Sequence, residues 1–164
     1  NLTSSHVVPA LILKFDQAIE SGTDVTIWGT GNASREFLYA PDCAEAVQLA
    51  IEKNVGSDPI NIGTGQEVKI IDLAKTIAKI MGFQGKIFFD TSKPDGQPRR
   101  CLDVSRAKEF LGFESKTNLL NGLVQTIKWF SYHLIPTVKY HEKARPASVA
   151  KNSQKLIPDG EKIG

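Results

Sequence analysis

Apolar positions in the first stretch of the chain recur at helical spacing. In ALILKFDQAIESG they fall at Ala10, Leu11, Phe15, Ala18 and Ile19, the signature of one buried face. Pro9 suits a first helical turn, where its missing N–H costs nothing, and Gly22 is a stop signal. The period then shortens. Val25 to Trp28 reads as a strand, Gly29 to Ser34 as a turn-rich loop, and Glu36 to Tyr39 as a second extended piece. Pro41 and Asp42 open a helix predicted to bury Ala44, Val47, Ala50 and Ile51. INIGTG, residues 60–65, reads as a small strand entering a glycine turn. Val68 to Ile70 is extended, Asp72 starts a helix that Gly82 ends, and Lys86 to Phe89 is a further strand. After the polar loop TSKPDGQPRR, Asp103 and Ser105 cap a short helix, RAKEFLG. Asn118 or Thr117 precedes a longer one, with Leu120, Leu123, Val124 and Ile127 on its buried face. Alternating helices and short strands define an α/β class, with too few strand–helix units for a complete dinucleotide-binding sheet. Beyond Phe130 periodicity ends. Residues 131–164, with Pro136, Pro146 and Pro158, read as an irregular tail.

Composition narrows the function classes. Lys plus Arg number 20 against 18 Asp plus Glu, a formal charge of +2, which does not point to nucleic acid. No apolar run reaches the length of about 18 residues needed to span a membrane. Cys43 and Cys101 lack C-x-x-C spacing and read as reduced thiols of a cytoplasmic protein. No cluster of residues suggests a metal. The first residue is Asn1, not Met, and there is no signal-peptide pattern, so a fragment or processed product is expected.

VTIWGTGNASREF, residues 25–37, carries the first chemical question. A strand entering Gly-x-Gly resembles the start of a pyrophosphate-binding βα turn. That reading fails on two counts. Ser34 stands where the third glycine belongs, and Pro41 blocks a helix running on from Gly31. Without a helix N-terminus the turn loses its basis for holding phosphate. INIGTGQEVKI fails in the same way, its helix starting only near Ile71. Both triplets read as tight turns needing positive φ. Trp28 and Arg35 flank the first turn, an aromatic face and a phosphate-binding fork. Taken alone, the stretch favours a core Trp and a surface Arg.

Four segments in order, SSHVVPALILKF, VTIWGTGNASREFLY, INIGTG and FDTSKPDGQPRRCLDVSRAKEFLGF, resemble the C-terminal half of an extended short-chain dehydrogenase/reductase. The resemblance covers residues 1–130 and is narrowest to the GDP-L-fucose synthase family. It implies a partial Rossmann-type fold plus a small mixed α/β substrate domain. It also implies an NADP-dependent epimerase-reductase acting on a GDP-sugar, GDP-4-keto-6-deoxy-D-mannose, to give GDP-L-fucose. By the same resemblance, His6 is the catalytic acid beside the nicotinamide and so also the cofactor-binding residue. Lys14, Trp28, Arg35, Lys86 and Arg100 are substrate-binding. Most of the NADP site, the Tyr-x-x-x-Lys relay and the reactive Cys are expected upstream of residue 1. The complete protein is expected to be a homodimer, and this chain alone to be inactive. A UDP- or dTDP-sugar epimerase or dehydratase using NAD, or a non-catalytic nucleotide-sugar-binding remnant, stand as alternatives. The family's Asp-Asp after R-E-F-L-Y is Pro41-Asp42 here, which puts the start of that helix in question.

Overall fold

The structure is a computed structural model, and it describes residues 6–133. The chain divides into two units, Asn1–Trp129 and Phe130–Gly164. Of the second unit only Phe130 to His133 are described, so most of the expected irregular tail lies outside the described residues.

Helix α1, Val7–Ser21, begins two residues before Pro9 and ends at Gly22 in the left-handed conformation, φ +67°. It buries Leu11, Ile12, Phe15 and Ala18. Ile12 thus takes the inward place expected of Ile19, which is exposed. Strand β1, Val25–Trp28, buries Val25 and Ile27 and turns Thr26 and Trp28 outward, the period of two that a strand imposes. Strand β2 is Ser34–Glu36, earlier than the extended piece expected at 36–39. Helix α2, Ala40–Lys53, has Pro41 in its first turn. Strand β3, Glu67–Lys69, passes directly into α3, Ile70–Met81. Strand β4 is Ile87–Asp90 and β5 is Arg99–Arg100. The short helix expected in RAKEFLG forms as a π-helical turn, Ala107–Leu111. Helix α4, Leu119–His133, continues past the expected end at Phe130.

Two small sheets result. β1 and β4 pair in parallel, with Val25 opposite Ile87 and Trp28 opposite Asp90. The second sheet has the order β3-β2-β5, antiparallel between β2 and β3 and parallel between β2 and β5. Helix α1 packs on α3 and β1, and Phe15 meets Phe83 edge to face at 5.1 Å. Helix α3 contributes Leu73, Ala74, Ile77 and Ala78, all buried.

A second core joins α2 to the π-helical turn through Ala46, Ala107, Leu111 and Phe113, with Leu49, Ala50, Ile60 and Ile62 against it. Here the predicted helix face is corrected. Val47 and Ile51 are exposed, and the inward side carries Asp42 and Ala46. The cause is chemical: the carboxylate of Asp42 accepts hydrogen bonds from the Lys116 and Thr117 N–H groups at 3.0 and 2.9 Å and from Thr117 Oγ1 at 2.8 Å. That anchor fixes the rotation of α2, so Ala46, one turn on, faces in. On α4, Leu123 and Ile127 are buried as expected, but Leu120 and Val124 are exposed. Ile60 to Gly63 is not part of a ladder, contrary to the expected strand. No described strand pairs with it, and Asn61 instead donates its side-chain amide to Asp103 O at 3.1 Å.

Candidate functional site

The register of β2 against β5 sets the site. Ser34 lies opposite Arg99 and Arg35 opposite Arg100. Successive strand residues point to opposite faces, so the two arginines of RR separate. Arg99 shares a face with Ser34 and donates Nε to Glu67 at 2.8 and 3.0 Å, while Ser34 Oγ donates to the same carboxylate at 2.8 Å. Those hydrogen bonds, Arg99 first, hold the Glu67 carboxyl below its ordinary value. Arg100 shares the other face with Arg35. The two line a cleft of about 630 Å³ together with His6, Val7, Val8, Glu36, Phe37 and Leu102. His6 enters from the N-terminus of α1, where it precedes the first helical residue. Arg35 Nη1 donates to Ser34 O at 2.6 Å, which leaves most of its fork of five donors available.

Lys14 and Trp28 form a second group. Trp28 is 63% exposed, which excludes a core role for its indole. Lys14 Nζ donates to Thr26 O at 2.8 Å and lies 5.9 Å from the Trp28 ring centroid, within cation–π range. Lys93 Nζ, from the polar loop before β5, lies 5.8 Å from the same ring. Lys14 is eight residues beyond His6 on α1, about 12 Å along the helix axis. Lys86 is brought to neither group. It is exposed at the start of β4, beside Asp24, whose Oδ1 accepts the Lys86 N–H at 2.7 Å.

Both Gly-Thr-Gly turns are gripped by carboxylates that no sequence pattern singles out. Asp95 Oδ1 accepts the Thr30 N–H at 2.6 Å and Oδ2 accepts Thr30 Oγ1 at 2.7 Å. Glu36 Oε1 accepts from the Thr64 N–H, and from the Gly65 N–H at 2.7 Å, while its Oε2 accepts the Leu102 N–H at 2.9 Å. Asp95 reads in sequence only as a turn residue of Pro94-Asp95-Gly96, and Glu36 as the neighbour of Arg35. These grips also test the fit to a dinucleotide. A pyrophosphate site needs free amide donors at the turn. Here the Thr30, Thr64 and Gly65 amides already face carboxylates, and the first turn runs into β2, not into a helix. Neither turn fits a cofactor pyrophosphate.

Burial and hydrogen bonding set the charge of the anchors. Burial pushes the Asp42 carboxyl up, but hydrogen bonds from Thr117 and Lys116, and the Lys116 charge, outweigh it and hold it below its ordinary value. Hydrogen bonds from the Thr30 side chain and amide lower Asp95. Among the described residues no cluster of His, Cys, Asp and Glu could hold a metal ion, and no helix is long and apolar enough to cross a membrane. Cys43 and Cys101 are free thiols.

Residues 1–63 match the NAD dependent epimerase/dehydratase family. The proteins it is similar to include GDP-L-fucose synthases. The chain is 43% identical over 137 residues to "Probable GDP-L-fucose synthase 1" of Oryza sativa subsp. japonica, covering 83% of this chain and 42% of that protein. It is 43% identical over 138 residues to "GDP-L-fucose synthase" of Escherichia coli, covering 78% of this chain and 43% of that one. A crystal structure of a GDP-L-fucose synthetase from Naegleria fowleri bound to NADP superposes with a TM-score of 0.73 at 29% identity, covering 80% of this chain and 42% of that chain. The chain thus spans less than half the length of these relatives.

Proposed function

We propose that residues 1–130 are the substrate-binding portion of an NADPH-dependent epimerase-reductase that converts GDP-4-keto-6-deoxy-D-mannose to GDP-L-fucose. The observation that carries this reading is the placement of Arg35 and Arg100 on one sheet face, in one cleft with His6. Two guanidinium forks match the oxygens of a diphosphate. The imidazole beside them is a side chain that can both give and take a proton, as proton exchange at carbon requires.

In this reading the 4-keto group acidifies the neighbouring C3 and C5 hydrogens. A base, assigned to the length that this chain does not span, takes one of these protons, and His6 is the acid that returns a proton to the same carbon from the other face. Arg35 and Arg100 hold the diphosphate and so fix the sugar against the imidazole. Trp28 offers its exposed ring to the base, and Lys14 adds a point charge beside it. Lys86, remote from both groups, contributes long-range positive charge. The glycine turns of this chain do not fit NADP. The cofactor is therefore assigned to the part of the relatives' length that this chain does not span, with His6 alone bordering its nicotinamide. The complete protein is read as a cytoplasmic homodimer, and this chain alone as a binder without turnover.

Calorimetry of the chain with GDP, UDP and dTDP tests the substrate class. GDP is expected to bind most tightly, and Arg100→Gln to weaken it about tenfold. A preference for UDP or dTDP would overturn the GDP-sugar assignment in favour of an NAD-dependent epimerase or dehydratase. Reduction of the 4-keto sugar by this chain with NADPH would sink the assignment of the cofactor site to the remaining length.

A further inference from the structure

The loop between β4 and β5 is tied down at one side chain, Asp95. Its carboxylate takes both the amide and the hydroxyl of Thr30, two residues beyond Trp28. Two residues before Asp95 stands Lys93, with its ammonium 5.8 Å from the Trp28 ring centroid. The tie and the ammonium are thus in step: Asp95 meets Thr30 as Lys93 meets Trp28. On the other side of Asp95, a methyl built on Gly96 would come 3.9 Å from Arg35 Nη2, so the same loop passes beside the cleft guanidinium. The start of the loop is also fixed. Asp90 Oδ1 accepts the Ser92 N–H at 3.1 Å and Ser92 Oγ at 2.6 Å, and the Lys93 N–H donates to Asp90 O at 3.2 Å. Lys93 therefore sits between two pinned residues, Ser92 and Asp95.

We infer that Lys93 is a further ligand-binding residue, a second cation beside Trp28 that contacts the diphosphate, and that Asp95 and Thr30 are positioning residues that hold it there. This rests on the nucleotide-sugar reading above. Lys14 and Lys93 lie 5.9 and 5.8 Å from one exposed indole, but they differ in freedom. Lys14 already donates to the carbonyl of Thr26. Of its two neighbouring carboxylates, Asp95 is bonded to Thr30, and Asp90 directs Oδ1 to Ser92 and feels the Lys93 ammonium only as a charge. An ammonium carries three donors. One held against an aromatic face, with donors to spare, suits a base stacked on the ring and the phosphate that follows it.

The test uses the full chain. Lys93→Gln is expected to weaken GDP about tenfold by calorimetry while leaving guanosine, which has no phosphate, unchanged. Asp95→Asn and Thr30→Val are expected to weaken GDP about threefold, and Thr30→Ser, which keeps the hydroxyl, to bind as the parent does. In the double variant Lys93→Gln, Asp95→Asn, the second change is expected to add nothing, because no charge remains to position. A merely structural Asp95 would instead give additive losses. A second readout needs no nucleotide. With Trp129→Phe, Trp28 is the only tryptophan of the chain. Iodide quenching of Trp28 is expected to fall in Lys93→Gln and in Asp95→Asn, with quenching by neutral acrylamide unchanged. GDP affinity unmoved by Lys93→Gln would overturn the inference, as would iodide quenching unmoved by it. A parent chain that binds no GDP but shows the iodide effect would refute the nucleotide-sugar reading and leave the Asp95 positioning of Lys93 standing.

Discussion

The two Gly-Thr-Gly turns are built alike and serve differently. In each, the central Thr hydroxyl accepts the N–H two residues on, Asn32 in the first and Gln66 in the second, both at 3.1 Å. In each, a distant carboxylate takes the Thr N–H. In each, a Cβ on the leading glycine would collide with that carboxylate, Asp95 at Gly29 and Glu36 at Gly63. The difference lies in where the carboxylate comes from. Glu36 projects from β2 and ties three backbone amides, Thr64, Gly65 and Leu102, into the sheet that carries Arg35 and Arg100. Asp95 projects from an exposed loop and is devoted to the first turn. One grip braces the sheet that carries Arg35 and Arg100, and the other ties down the loop that carries Lys93. The same triplet therefore reports a local hydrogen-bonding device, not a ligand.

The sharpest break in that likeness is at the trailing glycines. Gly31 has φ +76°, and a Cβ there would come 2.5 Å from Phe89 Cε1 and 3.1 Å from Ile71 Cβ. Gly65 has φ +68° and a single neighbour, Val104 Cγ2 at 3.1 Å. Gly31→Ala combines backbone strain with overpacking against a ring and is expected to cost about 3 kcal/mol. Gly65→Ala carries the strain with less crowding and is expected to cost about 1 kcal/mol. Urea unfolding of both variants checks the order. Equal losses would mean that the first turn yields more readily than its packing implies.

Next in size is Glu36→Ala, which leaves three amides without their acceptor and is expected to cost about 2 kcal/mol. Glu36→Gln keeps one acceptor oxygen and is expected to lose less. Asp95→Ala, at an exposed loop, is expected to change melting far less than Glu36→Ala while loosening Lys93. A larger drop from Asp95→Ala than from Glu36→Ala would reverse the division between sheet brace and loop tie.

How much of this was legible in the chain follows from what each signal measures. The end of helix α3 was legible, since Gly82 stops it at φ +73°, but its start was not: it begins at Ile70, two residues before Asp72, without a side-chain cap. The helix α2 misled because one buried polar anchor, Asp42, set its rotation against the apolar count. Asp42 stood out in the sequence only at the opening of that helix and as half of an expected acidic pair. The failure of both glycine turns as dinucleotide sites was legible from Ser34 and Pro41, and so was the positive φ at Gly29, Gly31 and Gly65. The exposure of Trp28 was not, since period two places it on an outward face but does not say whether anything covers that face. The separation of Arg99 from Arg100 follows from strand parity, but it needed the register of β5 on β2, a long-range pairing that no local pattern encodes. The grips of Asp95 and Glu36 span 65 and 28 residues, and nothing local announces them.

Acid offers the finest separation of the two turns. The Thr30 hydrogen bonds hold Asp95 below its ordinary carboxylate value in the folded chain. A group lowered on folding stabilises the fold at pH above its unfolded value, and that contribution disappears as pH falls through the folded value. Asp42, Glu67, Asp90 and Asp103 are lowered too, so the acid limb of overall stability reports all of them together. The difference between the parent and Asp95→Asn isolates one. With Trp28 as the only tryptophan, iodide quenching of the parent is expected to exceed that of Asp95→Asn at neutral pH. The two profiles should converge as the pH drops through the carboxylate range, because a protonated Asp95 keeps a single good acceptor, as Asn does. Profiles that stay parallel through that range would mean that the charge of Asp95 is not what holds the loop on Thr30.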